Sequence, residues 1–245
     1  MHYQWNWSVF LQPVPSGETT YLGWLLVGLQ WTVALSFCSW FTALFIGIPL
    51  GILRTLSNRF LSGLAVAYVA IFRNIPLLVQ LFVWYFVVPE LLPVKIGDWF
   101  KQLNPVLQEF VAAWLCLGLF TSARIVEQVR AGINSLGPGQ RGAGLAMGLT
   151  LGQTYRHVLL PMAFRIILPP LTSEFLNCIK NSAVATTIGF VELSRQAQQL
   201  VDYTAQPYEA FIAVTLLYLV VNSMVMVFMR WLERHTRVPG FMVAK

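Results

Sequence analysis

Thr19–Leu53 is a run of 35 residues that contains no Asp, Glu, Lys or Arg. A helix crosses the hydrocarbon of a bilayer in about 20 residues, so this segment is ample for one long, tilted span centred on 22–50. Ala210–Met229 supplies 20 more uncharged residues and reads the same way. The rest of the chain shares the bias: 57% of its 245 residues are hydrophobic and 11% charged, whereas a water-soluble domain carries roughly 25% charged residues. Too little charge is present to cover a soluble surface, and apolar segments recur along most of the length. A large soluble head, whether an enzyme or a nucleic-acid binder, is thereby excluded.

Three further apolar segments are interrupted by charge: one by Arg73, one by Glu109, Arg124 and Glu127, and one by Glu174 and Lys180. Treated as spans, they bring the total to five, at about 22–50, 61–88, 106–130, 162–185 and 210–230. Residues 21–233 then form one membrane domain, with a periplasmic or interfacial segment at 1–20 and a tail at 234–245. Trp5, Trp7 and Phe10 suit a segment resting at the membrane surface; a disordered aromatic tail is the other reading. No Lys or Arg precedes the first span, and Gln4, Asn6 and Gln12 break up residues 1–12, so no cleavable signal peptide is expected. Pro89–Pro105, with its prolines, Gly97 and Asn104, reads as a loop. Gly132–Leu160 and Glu192–Glu209 are the other long connections.

Five spans place the termini on opposite sides, and the basic residues decide which is cytoplasmic. Arg54, Arg59, Arg130, Arg141, Arg156, Arg165, Arg230, Arg234, Arg237 and Lys245 collect on one side; Lys95, Lys101 and Arg195 collect on the other. The richer side is expected to be cytoplasmic, with the N-terminus outside, the C-terminus inside and 132–160 as the major cytoplasmic loop. The net charge of +6 is therefore a topology signal. Its sixteen Lys and Arg are dispersed rather than clustered as a nucleic-acid patch.

No H-E-x-x-H, G-x-S-x-G or G-x-x-x-x-G-K-[ST] occurs, so neither an enzyme site nor a phosphate cradle is expected in this chain. No metal site is expected either. Cys38, Cys116 and Cys178 lie in apolar segments without C-x-x-C spacing and read as small buried hydrophobes, while His2, His157 and His235 read as scattered surface residues. The most specific feature is the loop around Gly139, Gln140, Gly142, Ala143, Gly144, Leu145, Ala146, Met147 and Gly148. Its small residues suit a short helix that presses closely into a partner, with Leu145 and Met147 as apolar contacts and Gly148 leaving the helix in a left-handed turn. A second amphipathic stretch follows, with Tyr155, Val158 and Leu159, and Pro161 suits the start of the next helix. A flexible glycine-rich loop is the alternative.

Charge at the bilayer centre costs at least ~2.5 kcal/mol on insertion scales, so intramembrane charges are functional suspects. Arg124, Glu127 and Arg130 repeat at i, i+3 and i+6, which lets Glu127 pair with either arginine; the set is either a neutralised structural network or an anion site at Arg124. Ser173, Glu174, Asn177, Lys180 and Asn181 fall within an arc of roughly 120° on one helix. They form either a structural seam or the lining of a path. Arg73, three residues before Pro76, is either exposed to a cavity at a kink or an interfacial anchor.

Gly139-Gln140, the small-residue run, Gly148 and Leu160-Pro161 resemble the "EAA" loop of the membrane subunits of ABC importers. Ala123–Arg130, Phe72–Gln80 and Ile179–Ala183 resemble the matching motifs of the polar amino-acid permeases, and Trp5–Trp7, Gly51–Thr55 and Val88–Pro93 bring the chain closest to glutamate/aspartate permeases. The name-giving glutamate is replaced by Gly142 and the second alanine by Gly144. Docking is therefore expected of the loop but an ion pair by that glutamate is not, and two glycines weaken a helix, which points to a coupling helix completed only against its partner.

The resemblance implies an all-α integral membrane protein with five transmembrane helices of the type I ABC importer permease fold, in the inner membrane. It implies import of glutamate or aspartate by alternating access. The partners implied are two cytoplasmic ATPase subunits at the 132–160 loop, a second permease subunit that is a homologue or another copy, a periplasmic amino-acid-binding protein, and membrane lipid. ATP and Mg then sit on the ATPase subunits and no cofactor on this chain. The substrate pathway is expected to involve Arg124, Arg73, Glu127, Glu174, Asn177, Lys180 and Asn181, with Glu127 neutralising Arg124 at rest. An arginine at 124, where the family usually has an aromatic residue, suits an anionic substrate. Pro161 and the Gly139–Gly148 run are assigned to coupling. The rivals are the same machinery for another polar amino acid, an ion-coupled secondary transporter using Glu127, Glu174 and Lys180, and an intramembrane hydrolase, for which no nucleophile and base pair up.

Overall fold

The computed structural model describes residues 3–236. His2 and the end of the expected tail, including the Arg237 and Lys245 charges counted above, lie outside the described residues. Among the described residues there is no β-strand, only an isolated bridge between Pro13 and Thr20. After a 3-10 turn at Trp7–Leu11, the helices are α1 (Tyr21–Leu53), α2 (Arg59–Asn74), α3 (Leu77–Leu91), α4 (Val94–Lys101), α5 (Pro105–Asn134), α6 (Gly137–Ala146), α7 (Leu151–Ile188), α8 (Leu193–Thr204) and α9 (Pro207–Thr236). Helices α1, α5, α7 and α9 are each long and apolar enough to cross a membrane, and α2 with α3 qualify only when taken together.

Prolines explain where this pattern departs from five straight spans. The expected span at 61–88 is broken at Ile75 and Pro76, both in extended conformations (ψ 130° and 139°), because the residue before a proline is driven out of the helical region. Wide π turns at Val83–Val87 and Tyr155–Leu159 each end two residues before a proline, Pro89 and Pro161. A proline inside a helix lacks the N–H and crowds the carbonyl four residues back, and a wider turn relieves both problems. Pro161 thus lies within α7 and does not open it. The helix opens ten residues earlier in the sequence, at Leu151, behind a capping box. The Thr150 hydroxyl accepts from the Gln153 N–H at 3.3 Å, and the Gln153 side chain accepts from the Thr150 N–H at 2.8 Å.

The chain divides into two compact units, to both of which the four long helices contribute. The first unit comprises Met1–Trp40, Pro76–Gly118 and Asn177–Ser223. Its core is assembled around α8, which buries Leu193, Gln196, Ala197 and Leu200 at amphipathic spacing. These pack with Leu25 of α1, Ala210 and Val214 of α9, and Val9 and Val14 of the N-terminal segment. That segment is therefore ordered. Its Asn6 N–H donates to the buried Glu209 carboxylate at 2.6 Å and the Tyr3 hydroxyl donates to the same group, while Trp5 and Trp7 remain exposed. Glu192 caps α8 by accepting the Arg195 N–H at 2.8 Å, and it also accepts the Tyr218 hydroxyl at 2.9 Å. Helices α4 and α8 occupy the connections 89–105 and 192–209, which are helical where loops are expected. Gly97 lets α4 sit against the chain, since a Cβ there would lie 2.4 Å from the Pro89 carbonyl oxygen.

The second unit comprises Phe41–Ile75, Leu119–Leu176 and Met224–Lys245. Here α1 and α5 approach through a Gly47-x-x-x-Gly51 stripe. A Cβ at Gly47 would fall 2.8 Å from Ile125 and one at Gly51 2.5 Å from Val129, the close backbone approach that small residues allow between membrane helices. Gly132 does the same for α5 against Ile167 of α7. The Tyr68 hydroxyl of α2 donates to the Leu119 carbonyl of α5 at 3.1 Å, and Thr172 of α7 donates to Glu233 of α9 at 2.9 Å.

Candidate functional site

Helix α6 spans Gly137–Ala146 and is seated on α7 within the second unit: Gly144 is buried against Thr154, so closely that a Cβ would meet Thr154 Cγ2 at 2.6 Å. Gly148 then leaves α6 with φ +84°, the left-handed conformation glycine adopts without steric cost. One face of α6 is thereby fixed and the other is open. Gly142, Ala143, Leu145, Ala146 and Met147 are exposed, Met147 to 80%, while Gly139 is exposed and Gln140 half-buried. Behind α6, the buried Tyr155 hydroxyl lies 3.0 Å from Thr55 Oγ1 and donates to the Thr55 carbonyl at 3.2 Å, which ties the start of α7 to the turn that follows α1. Thr55 and Tyr155 also line a hollow with Asn134, Pro138, Arg141 and Leu159.

The charges of the second unit form two ion-pair systems. Glu127 is shared by Arg54 and by Arg130, whose Nε donates to it at 3.0 Å. Burial, and then the charges of Arg130 and Arg73, push Arg54 below the usual arginine range; two arginines share the one carboxylate. Arg124 is paired elsewhere. Its Nη1 lies 3.6 Å from Glu174 Oε2 on α7 and its guanidinium sits 5.3 Å from the centroid of the Phe120 ring. The expectation that Glu127 neutralises Arg124 is therefore corrected: a carboxylate on another helix does so, and Glu127 is engaged by Arg54 and Arg130.

Arg73 is exposed in the last turn of α2. Asn177, Lys180 and Asn181 follow Glu174 along α7 but belong to the first unit, Asn177 and Asn181 half-buried and Lys180 exposed. Asn181 lines a small hollow with Leu35, Leu81 and Cys116. Cys116 and Cys178 are buried, Cys38 half-buried. Among the described residues no cluster of three or more His, Cys, Asp or Glu is gathered. Sequence reasoning passed over Arg54, Thr55 and Thr150 as functional supports. The Thr150-x-x-Gln153 pattern was a usable sign, since Ser or Thr three residues before Glu or Gln marks a helix start; the Arg54 and Thr55 contacts depend on tertiary packing and leave no local signature.

The sequence is 56% identical, over all of both chains, to the Glutamate/aspartate import permease protein GltJ of Escherichia coli (strain K12). It is 34% identical to the Nopaline transport system permease protein NocM of Agrobacterium fabrum, covering 87% of this chain and 89% of that one. Among solved structures, an amino acid ABC transporter crystallised with histidines matches with a TM-score of 0.74 at 29% identity, covering 88% of this chain and 95% of that one. An inward-facing MetNI methionine ABC transporter matches in fold, with a TM-score of 0.71 at 24% identity over 88% and 97% of the two chains. The all-α architecture is accordingly that of the type I ABC importer permeases. Residues 43–238 match the family described as binding-protein-dependent transport system inner membrane component, and the chain belongs to that family.

Proposed function

We propose that the chain is a membrane subunit of an ATP-driven importer of acidic amino acids, glutamate and aspartate. The observation that carries the substrate class is the 56% identity, end to end, with the Escherichia coli glutamate/aspartate import permease protein. The chemistry of Arg124 supports it: a half-exposed guanidinium offers the planar fork of donors that matches a carboxylate. In this reading Arg124 faces the substrate and Glu174 pairs with it, with Arg73, Glu127, Asn177, Lys180 and Asn181 as the other charged and amide groups of the pathway.

The exposed face of α6, from Gly139 to Gly148, docks on a cytoplasmic ATPase subunit, two of which serve the complex. ATP and Mg are held by those subunits and not by this chain. A second permease subunit, homologous or identical, completes the pathway, and a periplasmic amino-acid-binding protein delivers substrate at the opposite face. The N-terminus lies outside and the C-terminus inside. Charge supports this orientation: ten Lys and Arg fall on the side of the connection that carries α6, against Lys95, Lys101 and Arg195 on the other. Basic residues favour the cytoplasmic side.

Co-purification in mild detergent, with mass identification of the bound chains, tests the assembly. An ATPase and a second permease chain that co-elute, with ATP hydrolysis stimulated by a glutamate-loaded binding protein, are the expected outcome. A chain that purifies alone and still transports would refute it.

A further inference from the structure

Arg124 and Glu174 carry an observation that pairing alone does not explain. At 3.6 Å their separation keeps the Coulomb attraction but exceeds the 2.7–2.9 Å of a charge-assisted hydrogen bond. Among the described residues Glu174 Oε2 is buried without a hydrogen-bond partner, although a buried, unsatisfied carboxylate oxygen is costly. The Phe120 face holds the guanidinium from the side, an attraction that leaves the N–H donors free. The arginine is 42% exposed and the glutamate 10%, so a soluble ion has access to the first of them.

We propose that Glu174 is an exchangeable counter-ion: the carboxylate of a passing acidic amino acid takes its place on Arg124, and Glu174 recaptures the arginine when the substrate leaves. The proposal rests on the reading of this chain as an acidic amino-acid permease. In the empty state the weak pair neutralises Arg124 at low cost to break. A substrate carboxylate, free to align both oxygens with the fork, makes a bidentate pair in place of the single 3.6 Å contact to Glu174. Because the anion must be let go again, a competitor of this kind limits retention, as a transport path requires. Glu174 is in this account a positioning residue and Arg124 the one that touches substrate.

The test is equilibrium retention of labelled L-glutamate by the complete membrane complex in nanodiscs, without binding protein, together with uptake by the same complexes in vesicles. Glu174→Gln keeps the side-chain shape and removes the competing charge. It is expected to retain glutamate about three- to five-fold more tightly, the scale of a partly exposed ion pair, and to import it more slowly. Glu174→Asp, with the charge kept but withdrawn, is expected to fall between the two. Arg124→Met loses retention with or without Glu174→Gln. Retention that is unchanged or weakened in both assembled Glu174 variants overturns the exchange. If Arg124→Met retains and imports glutamate as the wild type does, Arg124 does not touch substrate and the exchange falls with it. A wild-type complex that imports neither acid refutes the substrate class itself.

Discussion

Gly144 is seated against Thr154 at a distance that leaves no room for a side chain: a Cβ would lie 2.6 Å from Thr154 Cγ2. Gly142, two residues earlier, has nothing within 4 Å of its Cβ position. The two glycines of α6 therefore respond in opposite ways. Gly144→Leu is expected to displace α6 and to abolish stimulation of ATP hydrolysis by the loaded binding protein, although the complex still forms. Gly142→Ala is expected to preserve coupling and to strengthen α6 by up to about 1 kcal/mol, the propensity difference between the residues. Stimulated ATP hydrolysis in the two variants checks this; full stimulation in Gly144→Leu contradicts it.

Glu127 is the acid held in common by Arg54 and Arg130. Glu127→Gln leaves two mostly covered guanidinium groups without their counter-charge, and breaking such a pair costs on the order of 2 kcal/mol at this depth. Thermal unfolding of the detergent-solubilised chain is expected several degrees lower. Arg130→Gln, which removes the more exposed partner, is expected to cost less. A melting curve for Glu127→Gln that overlays the wild type is the contrary result.

The N-terminal segment is held to α9 by Glu209, which accepts from the Asn6 N–H and the Tyr3 hydroxyl, and by Val9, 1% exposed in the core. Glu209→Ala is expected to release residues 3–12 to protease and to change the emission of Trp5 and Trp7. Val9→Asp, which places a charge in an apolar core, is expected to destabilise the first unit more severely. Unchanged protease resistance in both variants counts against the clamp.

How much of this was legible in the sequence depended on whether the cause was local. The uncharged runs at Thr19–Leu53 and Ala210–Met229 announce α1 and α9 because apolar length is itself the constraint. The small residues of Gly139–Gly148 announce a short helix ending at a glycine, and Gly148 has the expected positive φ. Pro161 misleads, because a proline that opens one helix can equally lie inside another behind a π turn, and only the Thr150–Gln153 capping box fixes the start of α7. Helices α4 and α8 are short, and their helical pattern is weak beside the prolines and polar residues around them. Arg124 offered one helical-spacing partner, Glu127, and none across the bundle, since Glu174 is fifty residues away in sequence and its approach is a property of packing alone.

Sidedness is open to direct labelling. Cysteines at Ala143 and Met147, both exposed on α6, are expected to react in inverted membrane vesicles, to resist an impermeant reagent applied to intact cells, and to crosslink to the ATPase subunit. Labelling from outside the cell reverses the orientation.

The most direct measurement of the central claim is uptake of labelled glutamate and aspartate by vesicles that hold this chain, its partner permease and ATPase, with ATP on the α6 side and binding protein on the other. The account predicts accumulation of both acids that requires ATP hydrolysis and persists when a protonophore abolishes the ion gradients. Uptake that collapses with the protonophore while ATP remains, or that fails for both acids, contradicts it.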